Sequence, residues 1–271
     1  MEQKQPWRSL LMGALLCLSG PVLADQHEVR FAFVGDTGTP AHNGVLLGLD
    51  EANLQGRFLG FHFAVDQFGP AQAGAVDPSR YVAILSTLDS AALRALVARA
   101  HGVAVLNLTD QDDALRRDCI PDLFHIIPSL AMQRDAVAQW HKKHPDSRVQ
   151  ASAWDYRFMK YAGRDLNKRY TAKFGVRMNA QSWSGWAGAR MLADVIVRGT
   201  PSQAAPVLDY LKTRLAFDGQ KGLDMSFRKT GQLRQPLLLL EDGKLLDQEA
   251  PVRGVVAPDD YDSLGINSCS G

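Results

Sequence analysis

The chain has 271 residues, 46% hydrophobic and 22% charged, the composition of an ordinary globular protein. Disorder is excluded as its main state, because a chain this apolar buries enough surface to offset its conformational entropy. Lys and Arg number 30 against 29 Asp and Glu, and the balance is 28 against 28 once Glu2, Lys4 and Arg8 are set aside; a body near zero net charge has no field to draw in nucleic acid.

Lys4 and Arg8 precede an apolar run from Leu10 to Leu18 that stops at Gly20-Pro21. Val22-Leu23-Ala24 then gives the small-residue pattern of a signal-peptidase site, so cleavage is expected after Ala24, with residues 1–24 as a signal peptide. The run is too short to span a bilayer. Ala14-Leu15-Leu16 ahead of Cys17 lacks the small residue that lipoprotein processing wants. No later segment reads as a membrane span, so the expected product is periplasmic, with no stable membrane insertion.

Cleavage leaves two cysteines, Cys119 and Cys269. An even pair in an oxidising compartment argues for one disulfide closing a long loop, worth about 4–5 kcal/mol in the chain-entropy model. Two free thiols are the alternative. Neither cysteine has a His or Cys at metal-ligand spacing.

Val29 to Val34 reads as a strand stopped by Gly35-Asp36-Thr37-Gly38-Thr39-Pro40. A helix follows with Val45, Leu46, Leu49 and Ala52 on one side, then strands at Leu59–Val65 and Tyr81–Leu85. Ser86-Thr87-Leu88-Asp89 leads into a helix whose Leu93, Leu96, Val97 and Ala100 keep helical spacing. Val103–Asn107 reads as a fourth strand, followed by Leu108-Thr109-Asp110. Alternating strands and helices predict an α/β fold with a parallel sheet and right-handed crossovers. The three polar turns then share the carboxyl edge of the sheet, where hydroxyls and helix-start N–H groups suit a small polar or anionic ligand. For any one of these residues helix capping is the simpler reading; three such turns on one edge are what point to a site.

The second half reads as more helical. Ser129 caps a helix carrying Met132, Ala136, Val137 and Trp140, which runs out near His144-Pro145, and 147–154 holds one short strand. Helices are predicted over Tyr156–Phe174, Gln181–Arg198 and Gln203–Leu215. In the second of these Gly185, Ala189, Leu192 and Ile196 form an apolar stripe, with Trp183 on the opposite face beside Arg190 and Asp194. Short strands are predicted at Leu223–Phe227, Pro236–Leu240 and Leu245–Gln248, the last two joined by a hairpin at Glu241-Asp242-Gly243-Lys244.

This layout is similar to the type I periplasmic solute-binding proteins, the branched-chain amino-acid-binding family of ABC transporters. The residues that carry the likeness are Gly44-Val45-Leu46-Leu47-Gly48-Leu49-Asp50-Glu51-Ala52-Asn53, Phe124 to Ser129, Trp186 to Asp194, Phe217-Asp218-Gly219-Gln220-Lys221-Gly222, and Phe227-Arg228 through Asp242-Gly243-Lys244. Within that family the chain most resembles members encoded with pyrroloquinoline-quinone-dependent alcohol oxidation. The cues are Cys119 upstream of Phe124-His125, Asp165 to Tyr170, and Leu264-Gly265 before Cys269.

The resemblance implies a first α/β lobe in 25–128, a reduced second-lobe segment in 129–155, a return to the first lobe in 156–222, and a C-terminal hairpin with a disulfide-tethered tail in 223–271. Where the family places a helix, between Asp66 and Arg80, stands Gln67-Phe68-Gly69-Pro70-Ala71-Gln72-Ala73-Gly74-Ala75. After Ser129 there is room for one helix and one strand instead of a full lobe. The family's ligand-holding positions after the third and fourth strands fall on Ser86, Thr87 and Thr109, joined by Asp36 and Thr37 after the first strand. Trp154 and Trp183 are the candidates from the second lobe.

Catalytic signatures are lacking: no Gly-x-Ser-x-Gly, no His-Glu-x-x-His, and no Lys in the loop Gly35 to Gly38 for a nucleotide. His141 and His144, or Asp110, Asp112 and Asp113, have spacings that can hold a metal, but read more simply as exposed cations near a helix end and a solvated loop. Asn107-Leu108-Thr109 spells a glycosylation acceptor. The expected function is non-enzymatic and free of cofactor and metal. It is capture of a small polar ligand, an amino acid or an alcohol-oxidation product, for an ABC permease. The alternative is an accessory or scaffold protein for a periplasmic quinoprotein dehydrogenase or cytochrome c. In freshly isolated, unreduced protein, Cys119 and Cys269 are expected to take up no alkylating reagent; uptake at both would overturn the pairing.

Overall fold

The computed structural model describes residues 26–246 and 261–270. The proposed signal peptide, the end of the strand drawn to Gln248 and part of the C-terminal tail lie outside these residues. Two sheets organise the chain. The larger contains β1 (His27–Val34), β2 (Phe61–Phe68), β3 (Ala83–Ser86), β4 (Ala104–Asn107) and β5 (Leu123–His125), all parallel, in the order β2-β1-β3-β4-β5. The smaller is antiparallel and joins β6 (Val149–Ser152), β7 (Leu238–Glu241) and β8 (Lys244–Leu245).

Side chains alternate across a strand, so a strand buried on both faces needs apolar residues throughout. β1 does this. Val29, Phe31 and Phe33 join Leu85, Leu106 and Phe124 in one core, while Ala32 and Val34 join Ile84 and Val105 in another on the opposite face. The second core is closed by α2 (Ser90–Arg99) through Leu93, Leu96 and Val97. The first is closed by α1 (Pro40–Leu59) and α6 (Ala180–Val197), which pack closely together. The other helices are α3 (Asp113–Arg117), α4 (Leu130–His141), α5 (Gly163–Phe174) and α7 (Ala204–Thr213).

Glycines set the approach of α1 to α6. A Cβ at Gly44 would lie 2.0 Å from the Ser182 carbonyl oxygen, one at Gly185 2.0 Å from that of Ala41, and one at Gly48 2.8 Å from that of Trp186. The helices therefore meet backbone to backbone, and the Gly44-x-x-x-Gly48 spacing puts both α1 glycines on the contact face. Thr39 caps α1 by accepting from the His42 N–H, Pro40 opens its first turn, and Gly60, at φ 78°, ends it.

The structure departs from the sequence reading in several places. Between β2 and β3 the chain makes two 3₁₀ turns, Pro70–Ala75 and Pro78–Arg80, each started by a proline. The predicted helix at Tyr156 begins only at Gly163. The preceding residues are held in turns, because Asn167 Nδ2 donates to the carbonyls of Tyr156 (2.9 Å) and Phe158 (3.0 Å). Leu223–Phe227 makes only isolated bridges, to Phe217 and Leu233. The Asp242-Gly243 hairpin forms, with both residues at positive φ (46° and 72°) as a two-residue loop requires. It is not a separate appendage, since β7 pairs along β6.

Cys119 and Cys269 are bonded across a sequence separation of 150 residues. The tail is also seated by Leu264, wholly buried, and by Arg228 Nη1 donating to the Leu264 carbonyl at 2.8 Å. Gly44→Ala and Gly185→Ala are each expected to lower stability by about 1–3 kcal/mol, the cost of forcing volume into a filled contact. Gly69→Ala, where φ is −65° and the nearest atom lies at 3.6 Å, serves as the near-neutral control in urea unfolding.

Candidate functional site

The register of the large sheet places Val34, Ser86, Asn107 and His125 on one line across β1, β3, β4 and β5. The ladder continues one step beyond it. Thr87 N donates to the Val34 carbonyl (3.0 Å), Leu108 N to that of Ser86 (2.9 Å) and Ile126 N to that of Asn107 (2.9 Å). The three polar turns are therefore neighbours on a single rim. Strand order reverses between β1 and β3, the position at which open parallel sheets leave a crevice. There the turns touch: a Cβ on Gly35 would fall 1.8 Å from Thr87 Oγ1.

Asp36 and Thr37 are exposed on this rim, and Thr87 and Thr109 are half-buried. Ser86 is wholly buried, its Oγ accepting from Leu88 N at 3.2 Å. Capping falls to other residues: Thr39 caps α1, Asp89 caps α2 by accepting from Ala92 N (2.9 Å), and Asp112 caps α3. Thr37, Thr87 and Thr109 stand outside that duty.

A buried polar network, missed by the sequence reading, fixes the turn after β4. Asn107 Oδ1 accepts from the N–H groups of Thr109 (3.1 Å) and Asp110 (2.9 Å), and its Nδ2 donates to the Asp110 carbonyl (2.7 Å) and to His125 Nδ1 (2.9 Å). Arg116 is completely buried. Its Nη1 donates to the carbonyls of Asp110 (2.8 Å) and Asp112 (2.9 Å), Nη2 to that of Ile127 (3.0 Å), and Nε to Gln232 Oε1 (3.0 Å). Gln232 Nε2 donates onward to the carbonyls of His125 and Ile127, both at 3.1 Å.

Burial lowers Arg116 to about 10 against the pull of Asp110, Asp113 and Asp112, so it stays cationic at neutral pH. The same burial, with the positive charge of Arg116, pushes His125 well below the ordinary histidine range and keeps it neutral. Its Nδ1 accepts, so its proton sits on Nε2. In the sequence, Asn107 drew attention through the Asn107-x-Thr109 pattern, for a modification that its burial forbids, while Arg116 drew none.

At the opposite wall of the rim, His42 Nδ1 accepts from Gly38 N (3.1 Å) and the ring meets Phe33 edge-on at 4.9 Å. These contacts fix the turn that carries Asp36 and Thr37.

Trp183 does not face solvent. It is fully buried, stacked on Trp154 at 6.0 Å, and its Nε1 donates to the Gly219 carbonyl (3.0 Å). Lys221 Nζ lies 3.9 Å from its ring centre and donates to Gln235 Oε1 (2.9 Å) and the Pro236 carbonyl (3.1 Å). Helix α6 is enclosed by these loops as well as by α1, so the side opposite its apolar stripe is covered too. Trp154 is equally committed, donating from Nε1 to Asn167 Oδ1 at 2.9 Å.

Asp110 and Asp112 meet at Ser90 Oγ (2.7 and 3.2 Å), Asp112 also caps α3, and Asp113 turns away to accept from Ala131 N (2.8 Å) and pair with Arg134 (2.7 Å). His141 is bonded to the Ser147 carbonyl (2.8 Å), while His144 stacks on Trp140.

No protein-family profile and no curated protein matches the sequence. Solved structures do match in fold. An ABC transporter substrate-binding protein from Desulfitobacterium hafniense superposes with a TM-score of 0.69 at 12% identity, covering 81% of this chain and 99% of that one. The fold is that of the type I periplasmic binding proteins. A branched-chain amino acid transporter substrate-binding protein from Streptococcus pneumoniae, in complex with isoleucine, matches at 0.64 and 13% identity over 82% of this chain and 98% of its own. An amino acid ABC transporter substrate-binding protein from Pseudomonas fluorescens matches at 0.64 and 12% over 90% and 96%. The chain thus carries the α/β architecture of this fold with its five-stranded parallel sheet.

A histidine kept neutral in the fold binds its proton only when unfolded, so its contribution fades as pH falls below the ordinary value of 6.5. Burial works to raise Asp113, but the Ala131 N–H, Arg134 and Ser129 outweigh it and hold the group below 3.8, so its contribution is lost further into acid. Unfolding free energies from urea titration are therefore expected to fall from pH 6.5 downward, by up to about 1.4 kcal/mol per pH unit for each proton. His125→Gln is expected to flatten the upper part of that decline; an unchanged slope would contradict a neutral, buried His125.

Proposed function

We propose that this chain captures a small polar molecule in the periplasm, an amino acid in the first instance, and presents it to an ABC permease without transforming it. The observation that carries this reading is the rim. Asp36, Thr37, Thr87 and Thr109 stand on one in-register sheet edge that includes the strand-order reversal, with the turn of Thr109 stiffened by the Asn107–Arg116–Gln232 network. The fold's solved neighbours named as amino-acid-binding components of ABC transporters support a transporter role. Export by a signal peptide cleaved after Ala24 belongs to the same proposal. So does the division into a first lobe (25–128 with 156–222), a second-lobe segment (129–155) and a tethered tail (223–271). The link to quinoprotein alcohol oxidation, and an oxidised alcohol as ligand, rest on the sequence resemblance alone.

One observation favours a second reading, that of an accessory protein which holds a periplasmic dehydrogenase or cytochrome and no metabolite. Trp154 and Trp183, the second-lobe candidates, are both core residues, and the second sheet has three strands among the described residues. A small lobe has little surface with which to close over a ligand and exclude water.

Calorimetric titration with amino acids and with carboxylate products of alcohol oxidation separates the two. Saturable heat is expected from at least one amino acid, weakened about tenfold or more by Thr87→Ala combined with Thr109→Ala, since each lost hydrogen bond is worth roughly 1 kcal/mol. No heat from any compound, together with co-purification of a dehydrogenase or cytochrome, would select the accessory role.

A further inference from the structure

The small sheet has an open edge. Among the described residues β6 pairs with β7 alone, and the hairpin determines which of its backbone groups remain outside. Leu246 N donates to the Leu239 carbonyl (3.0 Å) and Glu241 sits opposite Lys244 across the two-residue loop, so Leu239 and Glu241 turn their backbone groups to β8. Alternation then turns Leu238 and Leu240 toward β6, where they meet Ser152 and Gln150. Val149 and Ala151 are left with N–H and C=O pointing away from the sheet.

Beside this edge runs a groove of about 620 Å³, floored by Val149 and Ala151 and walled by Leu130, Arg134, Val137 and His141 of α4. The wall residues recur at helical spacing along one face, and Leu130 is 47% exposed. A strand edge facing a helix across an apolar trough is the geometry in which an extended peptide adds to a sheet.

We propose that this groove takes an extended, acidic segment of a partner protein, which joins the small sheet as an additional strand beside β6. Two donors and two acceptors spaced two residues apart match the backbone of an extended chain, and β6 offers it roughly 13 Å of edge. Charge selects the sequence. Arg134, which also pairs with Asp113, and His141 line the groove, and no Asp or Glu is among the lining residues. Lys142, Lys143 and Arg148 stand exposed at one mouth, against Asp146 in the same turn and Glu241, which is engaged on the Arg148 N–H. None of the rim residues Asp36, Thr37, Thr87 and Thr109 lines the groove.

The test is fluorescence anisotropy of the full chain with a labelled peptide of alternating Val and Glu, compared with versions carrying Lys for Glu or a central Pro. The Val–Glu peptide is expected to bind, and the other two to bind at least about tenfold more weakly. Ala151→Pro removes an outward N–H that β7 does not use, a change tolerated on an edge strand, and is expected to weaken binding about tenfold. Ala138→Glu, on the exposed flank of α4, probes the same groove without touching the strand, and is expected to weaken the Val–Glu peptide through like charge.

No anisotropy change up to roughly 1 mM peptide, equal binding of the Lys version, or indifference to both substitutions would overturn the proposal. A concentration-dependent dimer in sedimentation velocity that Ala151→Pro dissolves would also overturn it, by assigning the edge to a second copy of this chain.

Discussion

Close passage of two helix backbones governs this molecule. Helices α1 and α6 lie 138 and 144 residues apart in sequence at the Gly44–Ser182 and Ala41–Gly185 contacts, and they touch through carbonyl oxygens and Cα atoms where glycines leave room. Together they seal the face of the sheet that carries Phe31, Phe33, Leu85 and Leu106. Because the contact falls in the first turns of both helices, it also fixes where the turn Gly35–Thr39 leaves the end of β1. A polar rim can be precise only if the apolar layer beneath it is rigid, and here that rigidity is set by main chain against main chain.

The second determinant is a guanidinium that forms no salt bridge among the described residues. Arg116 is desolvated, yet its hydrogen bonds run to three carbonyls and one side-chain amide. A buried charge is costly unless its donors are satisfied, and the planar fork of arginine satisfies several acceptors at fixed angles. The result is a brace across the ends of β4 and β5 and the Gln232 segment. Lys221 has a comparable part under the second sheet, with two neutral acceptors and the face of Trp183 around its ammonium, although burial lowers its pKa well below the ordinary lysine value.

Much of this was legible in the sequence. β1, β3 and β4 announce themselves as short runs apolar on both faces, α1 and α2 by helical spacing with good caps, and the last hairpin by Asp242-Gly243. The rim followed from these, because turns after parallel strands must share an edge. What stayed hidden depends on partners distant in sequence. Nothing near Val149 indicates that Leu238–Glu241 will pair with it. Trp183 fell opposite the apolar stripe of α6, and the chain returns at 217–222 to cover that side as well. The turns before Gly163 override a helical pattern through the side chain of one residue, Asn167. Arg116 and Gln232 are polar residues whose burial no local pattern marks.

The two faces of the large sheet are covered on different schedules as the chain is made. Helix α2 is encoded between the strands it protects, so its face is largely covered once Leu115 and Leu123 have followed β4. The other face waits for α6, which begins more than 50 residues after β5 ends. Over that interval a nascent chain displays Phe31, Phe33, Leu85 and Leu106 with only α1 to shield them. Long-range closure of this kind is slow and prone to association. A holding chaperone therefore has a defined target on this protein, one that disappears when the glycines of α1 meet their partner helix.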